Sequence, residues 1–113
     1  DLRFPVWSRN TESYDLLIYV ANWPETRSLH WRSLLTARAI ENQSFTIGVN
    51  RVGEDGKGYA YSGDSALIDY SGDKIYSISK EESVFTCALS RSAQEVYRTT
   101  LNFLPDQDSF KVL

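Results

Sequence analysis

One segment restricts the possible folds of this chain more than any other, the nonpolar run Leu16-Leu17-Ile18-Tyr19-Val20. Its length suits a strand, and the lack of polar alternation is typical of a strand buried on both faces. Pro24 ends the strand, because proline has no N–H group to donate to a sheet. Residues 26–42 then repeat nonpolar side chains at helical spacing. The nonpolar stripe consists of Trp31, Leu34, Leu35, Ala39 and Ile40. These two segments predict the beginning of a parallel βα unit.

The second half of the chain predicts antiparallel pairing. Strands are expected over residues 45–50, 59–70, 75–79 and 84–89, with Gly63-Asp64 marking a bulge or bend in the second of them. A last helix is expected to begin at the capping-box pattern Ser92-Ala93-Gln94-Glu95 and to end before Pro105. Its nonpolar face comprises Ala93, Val96, Tyr97, Thr100, Leu101 and Leu104. The order predicts an α/β fold, a mixed sheet with helices on one face, whose other nonpolar face needs a cover.

Size and charge exclude several classes of protein. With 113 residues and no internal repeat, the chain is expected to form one domain or part of one. The net charge of −3 disfavours nucleic acid, and no nonpolar run reaches the length needed to cross a membrane. The single cysteine fits a reducing compartment, so the cytoplasm is expected. The chain begins at Asp1 without Met, beside the nonpolar cluster Phe4-Pro5-Val6-Trp7, and we expect it to be part of a longer polypeptide.

Two residues are the obvious candidates for chemistry. Cys87 lies between Phe85 and Leu89 on one face of an expected strand, without a local base to activate its thiol, so a small core residue is the favoured interpretation. The one histidine, His30, cannot supply a multi-histidine metal set, and a surface position is favoured over a substrate-facing one. No metal site and no cofactor are expected. From the residues alone, the chain is a mixed α/β piece without a complete catalytic set.

Five short motifs follow one another in an order that resembles the nitrilase superfamily of carbon–nitrogen hydrolases. They are Asp1-Leu2-Arg3-Phe4-Pro5, Leu17 to Pro24, His30-Trp31 with Ala37 to Asn42, Asn50-Arg51-Val52-Gly53, and Gly63-Asp64-Ser65 with Gly72. Together they span nearly all of the chain, and within the superfamily they are most similar to bacterial omega-amidases. The resemblance implies that residues 1–113 are the C-terminal part of a single carbon–nitrogen hydrolase domain, half of an α-β-β-α sandwich.

The same resemblance implies an activity, the hydrolysis of the terminal amide of a small 2-oxo dicarboxylic acid monoamide. Family members use a Glu-Lys-Cys triad that forms a thioester, and all three residues precede Asp1 in the family's order, the cysteine by two positions. No catalytic residue is therefore expected in this chain. The implied partners are a small amide and water, in a parent protein that forms a homodimer. The alternatives are a non-catalytic interaction module and a processed subunit with the same half-fold.

The resemblance also assigns roles to residues of this chain. The residues expected to support the turn that bears the nucleophile are Asp1, Arg3 and Phe4. Those expected to bind substrate are Asn22, Trp23, Thr26 and Arg27. Arg27 is expected to hold the carboxylate remote from the amide, because arginine binds carboxylates in a bidentate manner, although a solvated surface role is the alternative. Arg38 and Glu41 are expected to form a structural ion pair rather than a catalytic one.

Overall fold

A five-stranded mixed sheet and two helices make up the computed structural model, which describes residues 1–113. The strands are β1 (Leu16–Ala21), β2 (Phe45–Asn50), β3 (Val52–Glu54), β4 (Ala60–Ile68) and β5 (Lys74–Ser79). The helices are α1 (Ser28–Asn42) and α2 (Arg91–Thr100), with short 3₁₀ turns at Pro5–Ser8, Glu25–Arg27 and Leu104–Asp106. Neither helix has the length and nonpolar composition needed to cross a membrane. The predicted mixed α/β class is confirmed.

The sheet combines one parallel pair with antiparallel pairs. β1 and β2 run parallel, with Leu16 opposite Phe45 and Ala21 opposite Asn50. This pairing requires a crossover, which α1 provides. β4 is antiparallel to β2 and β3 along one edge and to β5 along the other. The carboxyl ends of β1 and β2 therefore lie side by side at one edge of the sheet.

The pairing of β4 with β2 stops before its pairing with β3 begins, but the register stays the same across this gap. Gly48 pairs with Ala66 and Val52 pairs with Ser62, so each strand advances by four residues between the two pairs. Within this interruption, Gly63 and Asp64 have φ values of +75° and +54°. The register of β5 against β4 also shifts between Gly63 and Ser65. The predicted bulge at Gly63-Asp64 is confirmed, and it bends β4 at the edge where β1 and β2 end.

The core lies between α1 and one face of the sheet. Its fully buried members are Leu2, Trp31, Leu35, Ala39, Ala66 and Ile68. The helix approaches β2 closely at Gly48, where a Cβ atom would lie 2.4 Å from Leu35 Cδ1 and 2.7 Å from Trp31 Cζ2. Because real Cβ atoms do not come this close to other carbons, only glycine at this position allows the observed packing.

The opposite face of the sheet is largely exposed. Along β1, Leu16, Ile18 and Val20 point away from α1, and Val20 is 81% exposed. Within this chain, α1 covers only the face that bears Tyr19 and Ala21. The other face matches the expectation that it needs a cover, and burial of this strand on both faces stays a prediction. Toward β5, the open face is partly covered by residues 81–89, where Phe85 stacks on Tyr76 with ring centroids 3.9 Å apart.

The strand predicted over residues 84–89 does not form. The segment forms no regular secondary structure, β5 pairs only with β4, and no strand adds to its outer edge. An extended segment becomes part of a sheet only when its backbone groups find a partner strand. The core role predicted for Cys87 is wrong for the same reason, because its thiol is exposed.

Helix α2 packs mainly through polar side chains, and only part of the nonpolar face that its sequence predicts is buried. The helix is capped by Ser90, whose Oγ accepts a hydrogen bond from the Ala93 N–H at 3.2 Å, so the capping box predicted at Ser92 is wrong. Val96 is 66% exposed, whereas Gln94 is fully buried. Of the expected nonpolar face, Tyr97 packs on Tyr70 with ring centroids 5.0 Å apart, whereas Ala93, Val96 and Thr100 are exposed. Polar side chains make the other contacts with the rest of the chain.

These polar contacts attach α2 to the end of the sheet where β1 and β2 begin. Gln94 donates to the carbonyl oxygens of Asp15 and Gln43 at 2.9 and 3.1 Å. The Arg98 guanidinium donates to the carbonyls of Gln43 and Tyr14, the Asp15 carboxylate and the Ser44 hydroxyl, all within 3.0 Å. Hydrogen bonds to charged groups are stronger than neutral ones, so this arginine is a main contact that fixes the helix.

We expect the close contact at Gly48 to make this position intolerant of any side chain. Gly48→Ala should lower the free energy of unfolding by about 1–3 kcal/mol, because Leu35 and Trp31 must leave their packed positions. Urea denaturation followed by circular dichroism measures the change. Gly56→Ala is the matched control, since a Cβ there meets no atom within 4 Å. Equal midpoints for Gly48→Ala and the wild type would contradict the packing described.

A second prediction concerns Tyr14, whose hydroxyl donates to the Ser8 carbonyl. Burial is the main cause that raises the pKa of Tyr14 from 10.0 to about 12. The neutral phenol is thus favoured in the folded state, so its contribution to stability is complete below pH 10 and is lost as the pH rises toward 12. Tyr14→Phe should be less stable than the wild type at neutral pH but lose less stability over this range. Thermal melts at several alkaline pH values measure how the stability of each protein changes with pH. Equal changes in the two proteins would contradict the raised pKa of Tyr14.

Candidate functional site

The carboxyl ends of β1 and β2 form the candidate site. The loop Asn22-Trp23-Pro24 leaves β1 at this edge, and Arg51 leaves β2 beside it. Between them lies a shallow depression lined by residues 20–22 and 49–51. In sheets with parallel strands, ligands bind in the crevice beyond the carboxyl ends of the strands. The topology therefore singles out this edge on physical grounds.

Trp23 contacts several of the segments that meet at this edge. Its ring lies 4.8 Å below the Arg3 guanidinium carbon and 5.6 Å from the ring of Trp31. Its indole Nε1 donates to the Arg27 carbonyl oxygen at 2.8 Å. A cation over an indole face is attracted by the ring quadrupole, so Trp23 joins the N-terminal segment to the start of α1. Of the predicted site residues, the structure brings together Arg3, Trp23 and the backbone of Arg27.

Asn50 holds the backbone of Trp23 from the other side. Its Oδ1 accepts a hydrogen bond from the Trp23 N–H at 2.7 Å, and its Nδ2 donates to the Trp23 carbonyl at 2.9 Å. Nδ2 also donates to the Gly63 carbonyl at 2.9 Å. Sequence reasoning included Asn50 in a motif but assigned it no role. The signal that was available is its position in β2, two residues after Gly48 on the face toward α1, where a polar side chain needs partners.

The N-terminal turn is fastened at two of its residues. The Phe4 N–H donates to the Asp1 carbonyl at 2.9 Å, which closes the turn. Leu2 is buried, and its carbonyl accepts a hydrogen bond from Arg38 at 2.5 Å. Arg3 donates to His30 Nδ1 at 3.1 Å. Asp1 and Phe4 themselves are exposed, so the structure holds the turn through Leu2 and Arg3.

Arg38 and Glu41 form the predicted ion pair, with Nη1 and Oε1 2.7 Å apart. The Arg38 side chain is almost fully buried, and Glu41 is half-buried. The same guanidinium supports the Leu2 carbonyl, so the pair connects α1 with the N-terminal turn. This is a structural arrangement, as the sequence predicts.

The other predicted substrate residues are exposed along the same edge. Asn22 lines the depression, and Thr26 and Arg27 lie in the 3₁₀ turn before α1. The Arg27 guanidinium forms no ion pair within the chain. It lies near Tyr61, where its charge opposes the rise in the pKa of that phenol that the hydrogen bond to Asp55 causes. A positive side chain without an internal partner is thus available beside Trp23.

Arg51 adds a second cation at this edge. Its guanidinium carbon lies 4.5 Å above the Tyr61 ring, and it donates to the Glu54 carbonyl at 3.0 Å. The Tyr61 hydroxyl in turn donates to Asp55 at 2.9 Å. The backbone N–H of Tyr59 is the main cause that lowers the pKa of Asp55, so this carboxylate stays ionised and orients the ring under Arg51.

Cys87 lies apart from Trp23. It lines a cavity of about 520 Å³ over the open faces of β2, β4 and β5, together with Tyr76, Phe85 and other side chains. Arg51 is the one basic residue that lines this cavity. No group of three or more His, Cys, Asp or Glu side chains comes together in a way that could hold a metal ion.

Comparison with known proteins identifies relatives over the full length of the chain. Residues 1–99 match the family model described as carbon-nitrogen hydrolase. An omega-amidase of Escherichia coli strain K12, YafV, is 50% identical over 99% of this chain, which covers 44% of that protein. A 2-oxoglutaramate amidase of Paenarthrobacter nicotinovorans is 38% identical over 95% of the chain, which covers 37% of that protein.

A solved structure shares the fold closely. The crystal structure of XC1258 from Xanthomonas campestris, described as a CN-hydrolase superfamily protein with an arsenic adduct in its active site, has a TM-score of 0.97. It is 44% identical, and the match covers 100% of this chain and 46% of that one. The chain thus spans somewhat less than half the length of the relatives it matches.

The exposed position of Cys87 leads to a prediction about its thiol. In the chain of residues 1–113, the thiol should react with an aromatic disulfide reagent without denaturant, at one equivalent per chain. Cys87→Ala should change the free energy of unfolding by less than about 0.5 kcal/mol, as is usual for surface positions. Absorbance of the released thiolate and urea denaturation measure the two quantities. A thiol that reacts only after unfolding would contradict the exposed position.

Proposed function

Because this chain belongs to the carbon–nitrogen hydrolase family of the nitrilase superfamily, we propose that it supplies the substrate-positioning half of an amidase acting on linear amides. The observation that carries the proposal is the arrangement at the sheet edge. Arg3, from the N-terminal turn, stacks on Trp23, whose backbone is held by Asn50. Segments far apart in the sequence thus converge on one loop at the place where the topology favours a ligand.

The reaction that we propose follows the family's thioester route. A cysteine two residues before Asp1 attacks the amide carbon, a glutamate moves the protons, and a lysine with a backbone N–H stabilises the oxyanion. Ammonia leaves, and water then releases the acid from the thioester. Leu2 and Arg3 are both fastened, to Arg38 and to Trp23, which supports a rigid attachment for a nucleophile at that position. Such rigidity favours catalysis, because the attacking atom must be held in a near-attack geometry.

For the substrate, we propose a small 2-oxo dicarboxylic acid monoamide that is hydrolysed at its terminal amide. The relatives named omega-amidase and 2-oxoglutaramate amidase support this class. The chemistry of the edge also supports it, because Arg27 is exposed without an internal ion-pair partner and arginine binds carboxylates well. In this proposal Trp23 and Asn22 line the pocket, Thr26 lies beside the carboxylate, and Arg27 binds it.

Compartment and assembly belong to the same proposal. A reducing compartment such as the cytoplasm keeps the single cysteine as a thiol, which supports that location. Exposed nonpolar side chains on the helices, including Leu29 and Ile40 on α1, support an interface between two copies in a homodimer. Water and the small amide are the other partners.

The function is tested with the full-length protein that contains this chain. Purified protein should release ammonia from 2-oxoglutaramate, and replacement of the cysteine two residues before Asp1 should abolish turnover. Cys87→Ala is the matched control, and it should keep activity within about threefold, because its thiol does not line the depression beside Asn22. Loss of activity in Cys87→Ala with an intact fold would contradict the proposed position of the nucleophile.

The role of Arg27 leads to a prediction about substrate preference. Arg27→Ala should raise KM for a carboxylate-bearing amide at least about tenfold, equivalent to about 1.4 kcal/mol, because the anion loses its partner. An uncharged amide of similar size should be nearly unaffected. Arg91→Ala, which removes an exposed arginine from α2, is the control and should leave KM unchanged for both substrates. Steady-state kinetics measure KM for both amides. An equal effect of Arg27→Ala on the two KM values would contradict a place for Arg27 in the substrate site.

A further inference from the structure

The interruption of the sheet at its ligand edge is bridged by one side chain. The ladder pairs between β2 and β4 stop at Gly48 and resume in β3 at Val52, which leaves Asn50 in the middle of the gap. The Asn50 carboxamide donates to the Gly63 carbonyl on β4 and exchanges hydrogen bonds with both backbone groups of Trp23. It therefore binds the strand on one side and the loop that follows β1 on the other.

The chemistry of this contact requires a carboxamide. The site has one donor to satisfy, the Trp23 N–H, and two acceptors, the carbonyls of Trp23 and Gly63. A carboxamide offers an oxygen acceptor and two N–H donors, which matches this set. A carboxylate has the same shape but no donor when ionised, so it would face both carbonyls unpaired. Asn50 is only 9% exposed, so water does not easily replace a lost partner.

The backbone of Asn50 is itself fixed by a reciprocal contact with Ser65. The Asn50 N–H donates to Ser65 Oγ at 2.9 Å, and this hydroxyl donates to the Asn50 carbonyl at 3.2 Å. Ser65 lies directly after the bulge at Gly63 and Asp64. The backbone that bears the carboxamide is therefore fixed. A side chain on a fixed backbone can hold the groups that it binds in one position.

What Asn50 holds is the loop that binds substrate in the proposed function. The Trp23 ring carries Arg3 on its face, and its indole N–H holds the Arg27 carbonyl. Resting on that proposed function, we propose that Asn50 is a positioning residue, which sets the place of Trp23 and Arg27 relative to the N-terminal turn. The N-terminal turn keeps its other anchor, the hydrogen bond from Arg38 to the Leu2 carbonyl, when the loop moves. Displacement of the loop that binds substrate therefore affects KM more than kcat.

The chain contains a matched control for this proposal. Asn42 is fully buried, its Oδ1 accepts from the Asn10 N–H at 3.0 Å, and its Nδ2 donates to the Arg38 carbonyl at 3.0 Å. It is an asparagine of the same kind, but it is the last residue of α1, near the start of β2, at the end of the parallel pair opposite to the loop of Trp23. Asn42→Asp and Asn50→Asp each keep the shape and remove the donors. Only the second one loosens the substrate loop.

The experiment compares these two variants in the full-length enzyme, with 2-oxoglutaramate as the substrate. Asn50→Asp is expected to raise KM at least about tenfold while kcat changes by less than about threefold. Asn42→Asp is expected to leave KM within about twofold of the wild type. Thermal melts of both proteins show whether the loss of stability is comparable. A rise in KM for Asn50→Asp alone, at similar stability, supports the positioning role.

Two outcomes overturn the proposal. One is an unchanged KM in Asn50→Asp, and the other is an equal rise in both variants, which is what a purely structural role gives. If either aspartate variant does not fold, Asn50→Ser and Asn42→Ser are compared by the same criteria. If the wild type hydrolyses no amide, the proposed function fails. Hydrogen exchange at the Trp23 amide in Asn50→Ser and Asn42→Ser then tests the contact, because serine shortens the side chain and removes the Oδ1 acceptor. Acceleration in Asn50→Ser alone supports the contact, whereas equal exchange overturns it.

Discussion

The close approach of α1 to β2 at Gly48 is the constraint on which the rest of the structure depends. With no side chain on Gly48, Trp31 and Leu35 lie directly on the sheet. Trp31 is then placed so that its Nε1 donates to the Asp64 carbonyl at 2.8 Å, within the bulge of β4, while its ring contacts Trp23. A packing contact in the core thus sets the position of the loop at the ligand edge. The core and the site cannot be changed independently at this point.

Nonpolar contacts and hydrogen bonds stabilise different parts of the sheet. Near α1 the contacts are nonpolar, whereas at both ends of the parallel pair β1–β2 they are hydrogen bonds from buried side chains. At the carboxyl end Asn50 bridges the gap between strand and loop, and at the other end Gln94 and Arg98 join α2 to the chain. Polar contacts of this sort have strict geometric requirements, so they fix one arrangement where nonpolar packing tolerates several.

Much of the fold follows from local sequence patterns. The first strand, the crossover helix, the second strand and the bulge at Gly63-Asp64 were all predicted, because each is specified by periodicity or by residues suited to a turn. The family resemblance was also recognised in short motifs, and the match over residues 1–99 confirms it.

What the sequence did not predict depends on partners distant in the chain. Asn50 bonds to Trp23 and Gly63, which are 27 and 13 residues away, so the local pattern marks a polar residue on an inward face but does not identify its partners. Helix α2 has nonpolar residues at helical spacing, yet Arg98 finds four acceptors on other segments and turns the polar face inward. The segment 84–89 has the composition of a strand, but whether it pairs depends on a neighbour. The open face of β1, where Ile18 and Val20 are exposed, likewise depends on a partner surface. Nonpolar side chains stabilise a fold only when another surface removes them from water. The α1 side of the sheet is covered by the helix, whereas the nonpolar side chains on the other side still require a cover.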